Sequence, residues 1–337
     1  MSGAKKTVWL LSDGRPGHFN QAKALVRALS MTQPVQTEWL DMRLRSGIFR
    51  NVQRLLLKHS QAVLPSGALK CFYQYQAPDR TPDYIVSAGG RTSFANAWLA
   101  RQFAVPNFFI GSLRGLPPAL FSAVLTLEPL PGIDNNIIME QPLSVIDKQL
   151  LAQLDIPQAW SGQICWSLLI GGDGSGYRYR EQDWRNLVQA LDALARTNGI
   201  RWLISTAPRS GPLVEQALRS VQGKAWLADL ALYTDAADSQ IPLYLAAAEK
   251  IFVTEDSMTM LGEAVSSGKP VFSLRPGMAD PNSRYYAALQ RFVQRSQVVR
   301  LQIDALAKVS SSIASAQFSL QTAPSLEKLA EQLAGFL

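Results

Sequence analysis

Short apolar runs recur along the chain, and most of them end in glycine, serine or aspartate. They predict β-strands at residues 7–14, 83–90, 107–112, 123–128, 165–174, 201–208, 250–257 and 269–274. The runs are apolar on both faces, which is typical of strands buried inside a parallel sheet. Helical patterns such as NQAKALVRALS, SFANAWLARQFA and IPLYLAAAE lie between them. Alternating strands and helices of this length predict an α/β protein with parallel sheets and crossover helices.

A polar, proline-punctuated stretch divides this alternation into two sets. LEPLPGIDNN and MEQPLSVIDKQLLAQLDIPQAW come before the strand pattern CWSLLIGGDG, and a chain of 337 residues exceeds one typical core. We therefore predict two doubly wound Rossmann-like domains that face a cleft, at residues 1–150 and 155–319, with the boundary near 145–160. The terminal helix at about 320–337 is a candidate to pack back on the first domain.

Composition narrows the class of protein. No apolar run approaches the ~18 residues that span a bilayer, and the hydrophobic fraction of 47% with 18% charged residues is typical of a folded soluble chain. Cys71 and Cys165 lie far apart without metal-ligand spacing, which favours reduced thiols and a cytoplasmic protein. With His18 and His59 as its two histidines, the chain cannot build a histidine-rich metal centre, and we predict no metal site.

A net charge of +7 indicates an anionic partner, which could be a nucleic acid, an acidic lipid or a phosphorylated substrate. In RLRSGIFRNVQRLLLKHSQAVL, Arg50, Arg54 and Lys58 recur on one helical face. The opposite face carries the apolar residues Ile48, Phe49, Val52, Leu55 and Leu56. Two interpretations stay open: a helix that lies peripherally on the anionic inner membrane surface, or an ordinary helix whose apolar face packs in the core.

Two loops of the N-terminal half follow predicted strands, where parallel sheets place their ligands. In SDGRPGHFNQ, Gly14 and Gly17 permit tight backbone geometry beside Asp13 and His18. His18 could act as a base or as a donor to an oxyanion, or it could simply cap its helix.

The second loop, SAGGRTS, contains Gly89, Gly90, Arg91 and Thr92. A Gly-Gly turn with an arginine before a helix start suits a carboxylate or a phosphate. The alternative is a plain strand-to-helix turn with an exposed Arg91.

In the C-terminal half, IGGDGSGYRY places Gly171, Gly172 and Ser175 after a strand, as in loops whose N–H groups approach phosphate oxygens. It matches neither the GxGxxG fingerprint nor the P-loop pattern, which argues against a standard NAD site or an NTPase. Another polar strand end, STAPRSG, offers Arg209 to a phosphate.

The segment TEDSMTMLGEAVSSGKPV has a strand end, a helix start and a helix stop in succession. Asp256 or Ser257 can cap the helix, and the residues at its positive end, Ser257, Met258 and Thr259, form a candidate seat for a diphosphate. Glu263, further along the helix, could then reach a ribose. An ordinary capped helix would explain Ser257 but not the preceding Glu255.

Taken together, these motifs resemble known families. The Glu255–Glu263 spacing followed by SSGKPV is similar to the nucleotide-sugar site of GT-B glycosyltransferases, and DGRPGH resembles the acceptor-side loop of the muramyl N-acetylglucosaminyltransferases. SDGRPGHFNQ, SAGGRTS, IGGDGSGY and TEDSMTMLGEAVSSGKPV, in this order, resemble the mitochondrial fission protein family of plants and its bacterial members, over about residues 7–295. The resemblance implies a GT-B fold, with diphosphate at the helix start and ribose at Glu263.

The expected function is a metal-independent glycosyltransferase that uses a nucleotide-diphosphate sugar as substrate and needs no separate cofactor. Gly171, Gly172, Ser175, Arg209, Glu255, Ser257, Met258, Thr259 and Glu263 form the predicted donor side. Asp13 or His18 would deprotonate an acceptor hydroxyl beside Gly14, Gly17, Gly89, Gly90, Arg91 and Thr92. We expect a membrane-associated or lipopolysaccharide-type acceptor and no nucleic acid. The rivals are a nucleotide-sugar epimerase of the same fold and a non-catalytic adaptor that recruits a partner.

Overall fold

A computed structural model describes residues 5–59, 66–235, 240–319 and 326–337 of the chain. The chain forms two compact units, Ile146–Thr322 and Met1–Val145 with Ala323–Leu337. We call the unit that contains the N-terminus the N-terminal domain and the other the C-terminal domain. Residues 320–325 of the predicted terminal helix lie outside the described residues; the helix itself is seen at Leu326–Ala334 and packs on the first helix of the N-terminal domain.

The helices, in chain order, are α1 (Pro16–Thr32), α2 (Phe49–His59), α3 (Ser66–Phe72), α4 (Ser93–Phe103), α5 (Lys148–Ala152), α6 (Glu181–Asn198), α7 (Gly211–Arg219), α8 (Ile241–Ala247), α9 (Met258–Ser266), α10 (Ser283–Gln294), α11 (Ser310–Ser315) and α12 (Leu326–Ala334). The first eight strands are β1 (Lys6–Ser12), β2 (Val35–Asp41), β3 (Arg43–Leu44), β4 (Tyr73–Gln74), β5 (Tyr84–Ala88), β6 (Asn107–Ile110), β7 (Ala123–Thr126) and β8 (Asn136–Ile138). The others are β9 (Cys165–Ile170), β10 (Tyr177–Arg178), β11 (Arg201–Thr206), β12 (Leu227–Ala231), β13 (Lys250–Thr254), β14 (Val271–Arg275), β15 (Met278–Ala279) and β16 (Val298–Gln302).

The N-terminal domain is built on a six-stranded parallel sheet in the order β2-β1-β5-β6-β7-β8. Alternate residues of its strands enter two different cores. Val8 and Leu10 of β1 belong to a cluster with residues of α1 and α12, whereas Trp9 and Leu11 belong to a cluster with residues of α3 and α4. This explains why the strand pattern is apolar on both faces.

The C-terminal domain repeats the design with a six-stranded parallel sheet in the order β12-β11-β9-β13-β14-β16. Stacked aromatic rings fill one side of it, where Phe252 lies between Trp166 and Phe272. Chain order reverses between β9 and β13, and such a reversal marks the crevice where sheets of this type usually bind ligands. The same reversal lies between β1 and β5 in the N-terminal domain.

The predicted α/β fold with two Rossmann-like domains is confirmed, and the limits of each predicted strand lie within four residues of the observed ones. Four strands of the two sheets escaped the sequence patterns: β2, β8, β12 and β16. Each is an outer strand of its sheet, where one edge meets no further strand, so its residues are only partly buried and its apolar pattern is diluted. VQTEWLD at β2 is an example.

Helix α2 differs from the interpretation in which its whole apolar face packs in the core. Ile48 beside it and Val52 and Leu55 on it are 79%, 45% and 61% exposed, so part of the apolar face is outside the core. Phe49 and Leu56 are half-buried, and Phe49 packs edge-on against Phe72. No helix among the described ranges has both the length and the apolarity required to cross a membrane.

Candidate functional site

The crevice of the C-terminal domain lies where β9 and β13 end. The glycine-rich loop after β9 is joined to the end of β13 by two hydrogen bonds: Gly171 N–H donates to Thr254 Oγ1 at 2.6 Å, and Gly172 N–H donates to Asp256 Oδ2 at 3.1 Å. Gly172 has a φ of +142°, and a Cβ there would overlap the backbone of Arg209. The amides of Gly171 and Gly172 are therefore used to hold loops together. Ser175 lies exposed nearer the tip of the loop.

Asp256 anchors the arginine of this crevice. Its carboxylate is buried and accepts from Arg209 Nη2 at 2.9 Å and from the Tyr179 hydroxyl at 3.1 Å. Burial raises the pKa of Asp256, and the positive charge of Arg209 opposes that rise. Arg209 stays partly exposed, so its guanidinium is held beside the start of α9 with one side open to solvent.

Glu255 has a different environment. It is completely buried, and its carboxylate accepts from Arg275 at 3.1 Å, from Arg300 at 2.6 Å and from the Tyr177 hydroxyl at 2.9 Å. Burial and the charge of Glu255 raise the pKa of Tyr177, so its hydroxyl remains a donor at neutral pH. The structure thus places Glu255 beneath the crevice, where it ties β13 to β14, β16 and the loop that follows β9.

The start of α9 is the third component of the crevice. Ser257, one of the two predicted caps, is the N-cap residue, and its hydroxyl accepts from Met260 N–H at 3.4 Å. Met258 and Thr259 follow in the first turn and are half-buried, while Glu263 lies in the second turn and is buried. Gly268, with a φ of +70°, follows the C-cap residue Ser267 and ends the helix. The free N–H groups of a first helical turn carry partial positive charge, which suits an anion.

The corresponding crevice of the N-terminal domain contains Asp13 and His18. His18 Nδ1 lies 2.9 Å from Asp13 Oδ2, and the side chains are 31% and 1% exposed, respectively. Burial raises the pKa of Asp13, but the hydrogen bond and charge of His18, with a smaller contribution from Arg15, outweigh it and leave the pKa below its ordinary value. Because the carboxylate can only accept, Nδ1 carries the proton it donates, and in the neutral form of the ring Nε2 is the acceptor.

Glycine makes this arrangement possible. Gly89, the first residue after β5, has a φ of +85°, and a Cβ there would overlap the His18 imidazole. Gly14 has a φ of +75° and donates to Ser12 Oγ at 3.1 Å, which turns the chain between β1 and α1. Gly17 lies in the first turn of α1. The Thr92 hydroxyl is buried and donates to the carbonyls of Ala88 and Gly89.

A cavity of about 470 Å³ opens beside His18. Its lining includes Gly89, Gly90 and Arg91, as the sequence predicted for one site, together with Arg15, Arg50 and Arg114. Arg50 therefore lines a cavity, whereas Arg54 and Lys58, grouped with it in the sequence pattern, are exposed on α2. Arg114, which the sequence did not single out, follows β6 in IGSLRG, at the edge of the sheet where parallel strands place their ligands.

No group of three or more histidine, cysteine, aspartate or glutamate side chains within the described part of the chain has an arrangement that could hold a metal ion. The positive charge of both crevices comes instead from arginines and helix termini.

Two parallel six-stranded sheets, each with a crevice where chain order reverses, define a GT-B-type fold. Comparisons with known proteins agree. Residues 16–323 match the family model described as Mitochondrial fission ELM1, and the chain belongs to this family, as its motifs predicted. An uncharacterised protein of Rickettsia prowazekii (strain Madrid E) is 21% identical over 309 residues, which cover 80% of this chain and 83% of that protein.

Solved structures support the same fold. UDP-GlcNAc 2-epimerase from Methanocaldococcus jannaschii has a TM-score of 0.56 at 13% identity, with 98% of this chain and 99% of that chain covered. The Neisseria meningitidis epimerase bound to UDP-GlcNAc has a TM-score of 0.55 at 13% identity, with 98% of each chain covered. MurG from Acinetobacter baumannii has a TM-score of 0.50 at 14% identity, with 98% of this chain and 99% of that chain covered. At such identities the likeness establishes the fold.

Proposed function

We propose that this protein is a metal-independent glycosyltransferase that takes a nucleotide-diphosphate sugar as donor. The observation that carries the proposal is the C-terminal crevice: Arg209 is fixed by Asp256, the residue directly before the Ser257 cap of α9. A guanidinium and a helix N-terminus thus lie together at the position where Rossmann-like sheets bind ligands. The neighbour solved with UDP-GlcNAc supports a nucleotide sugar as the ligand class.

Each part of the donor has a candidate partner in this crevice. The diphosphate would accept from the N–H groups of Met258 and Thr259 and from Arg209, which supply the positive charge that other enzymes take from a metal. Ser175 lies on the adjoining loop and could donate its hydroxyl. Glu263, in the second turn of α9, would accept hydrogen bonds from the ribose hydroxyls. Glu255 is a positioning residue in this scheme, because its carboxylate is enclosed by Arg275 and Arg300.

The acceptor side is the N-terminal crevice. Asp13 holds Nδ1 of His18, so Nε2 can take the proton of an acceptor hydroxyl. The hydroxyl oxygen forms a bond to the anomeric carbon of the sugar, the bond from that carbon to the diphosphate breaks, and the nucleoside diphosphate leaves. Asp13 is almost fully enclosed, which favours His18 as the base and Asp13 as the group that orients it.

A separate cavity beside His18 favours transfer over epimerisation, because an epimerase needs to bind only one substrate. We further propose that the acceptor is membrane-associated. Ile48, Val52 and Leu55 are exposed next to Arg54 and Lys58, and an apolar strip flanked by cations matches an anionic lipid surface.

Binding without metal tests the donor site. Thermal unfolding of the full chain is measured in EDTA with nucleoside diphosphates and nucleotide sugars, since a ligand that binds only the folded state raises the melting temperature. Arg209→Ala should weaken the stabilisation, whereas Arg196→Ala, an exposed substitution on α6, should not. A strict metal requirement, or no shift with any nucleotide, would overturn the proposal. Epimerisation of the sugar without an acceptor would favour the rival enzyme.

A further inference from the structure

The cavity of the N-terminal domain has an unbalanced charge. Arg15, Arg50, Arg91 and Arg114 contribute guanidinium groups to its lining, and no aspartate or glutamate of the described residues lines it. Asp13 is the nearby acid, and its carboxylate is occupied by His18. Within the described part of the chain, none of these guanidinium groups forms an ion pair or a side-chain hydrogen bond.

Arg50 has an unpaired buried donor among the described residues. It is half-buried, and its Nε atom is shielded from solvent yet has no hydrogen-bond partner in the described part of the chain. Burying a charged donor without an acceptor is costly, and an anion bound in the cavity that Arg50 lines would offset that cost.

The backbone around the cavity leaves room for Arg114. A Cβ at Gly90 would overlap the Arg114 side chain, so glycine there lets the guanidinium lie directly against the loop after β5. Arg114 itself has a φ of +54°, a left-handed conformation that is uncommon for a residue with a side chain. Backbone strain of this kind is typical of residues that a site holds in place.

We infer that this cavity binds a phosphate group with at least two negative charges, a phosphomonoester or a diphosphate, carried by the acceptor. The single negative charge of a carboxylate would balance only a small part of the charge of four arginines. A phosphomonoester brings about 1.5–2 negative charges and three acceptor oxygens. The planar guanidinium fork matches those oxygens in pairs. The assignment of this phosphate to an acceptor rests on the proposed glycosyltransferase activity. The binding of phosphate in the cavity does not depend on that activity.

Calorimetric titration of the full-length protein with glucose 6-phosphate at low salt tests the inference. The wild type should bind, and Arg91→Ala/Arg114→Ala should bind at least ~100-fold more weakly, since each lost charged hydrogen bond costs roughly tenfold or more. Both side chains are exposed, so the fold should survive, and Arg114→Ala alone provides a milder second variant. Arg43→Ala/Arg45→Ala removes the same charge outside the cavity and should bind like the wild type.

Arg209→Ala separates this site from the donor site. It should keep glucose 6-phosphate binding, even if the chain fails to bind any nucleotide and the proposed transferase activity falls. Sedimentation with phosphatidylcholine vesicles that contain phosphatidic acid distinguishes the source of the phosphate. Loss of vesicle binding in the double variant indicates a lipid phosphate. Unchanged vesicle binding together with lost glucose 6-phosphate binding indicates a soluble phosphate. The inference is overturned if the wild type ignores glucose 6-phosphate at millimolar concentration, or if the double variant binds it normally.

Discussion

The acidic residues of the two crevices differ in position and in the groups beside their carboxylates, which gives them different roles. Glu255 and Asp256 are enclosed and bound to arginines, so their charges position other groups. Glu263 lies in the second turn of the helix whose first turn would seat the diphosphate. Asp13 is enclosed behind His18, which is the more accessible of the two.

At the donor site, Glu263→Gln should weaken nucleoside diphosphate binding by about 10- to 100-fold, because a carboxylate that accepts from the ribose hydroxyls contributes about 1.5–3 kcal/mol. Calorimetry measures the affinity, and Glu331→Gln, an exposed substitution on α12, is the control. An unchanged affinity of Glu263→Gln for the nucleoside diphosphate would show that Glu263 does not bind the ribose.

At the acceptor site, His18→Ala should reduce kcat by ~10²–10⁴-fold, as expected for the loss of a general base. Asp13→Asn should also reduce kcat, because an amide no longer fixes which ring nitrogen carries the proton. Both variants should keep the donor affinity of the wild type, which calorimetry can verify separately from turnover. A transferase whose rate survives both changes would exclude this pair from the chemistry.

At the scale of elements, the predictable features were those with a strong local signal. Central strands are buried on both faces, so their apolar runs stand out, and parallel pairing then brings the polar residues after them to one edge of the sheet. Outer strands such as β2 lack this signal. The sequence assigned Arg50 to a membrane surface and Arg91 to the acceptor side, and it did not single out Arg15 or Arg114. These arginines come from segments distant in sequence, which only the folded sheet brings together.

The buried ion pairs of Glu255, beneath the crevice of the C-terminal domain, should contribute to the stability of that domain. Glu255→Gln leaves Arg275 and Arg300 without their buried counter-charge, and breaking a buried ion pair on one side costs roughly 3 kcal/mol or more. The free energy of unfolding of the C-terminal domain, followed in urea, should fall accordingly. At urea concentrations below the unfolding transition, the affinity for the nucleotide should change little. An unchanged free energy of unfolding would contradict the positioning role given to Glu255.

Helix α2 offers a test of membrane contact. Val52→Ser/Leu55→Ser should reduce binding to anionic vesicles by removing exposed apolar area, and Arg54→Glu/Lys58→Glu should reduce it by at least about 1 kcal/mol per residue. Nucleotide binding should be preserved in both variants. If the wild-type protein does not sediment with anionic vesicles at low salt, the acceptor need not be membrane-associated.

For the whole molecule, membership of the Mitochondrial fission ELM1 family and a GT-B-type fold are established, and both were predictable from four strand-end motifs in their order. Motif order reports the arrangement of strands and loops, which distant relatives share. The sugar and acceptor of the proposed reaction depend on individual contacts that the motifs do not encode. The central claim is therefore the position of the donor nucleotide.

A crystal structure of the protein with the nucleoside diphosphate that stabilises it most tests this claim directly. The account predicts the diphosphate within hydrogen-bonding distance of the first-turn N–H groups of α9 and of Arg209, with the ribose hydroxyls on Glu263 and no metal ion between phosphate and protein. A nucleotide bound elsewhere, or a diphosphate held only through a metal ion, would contradict it.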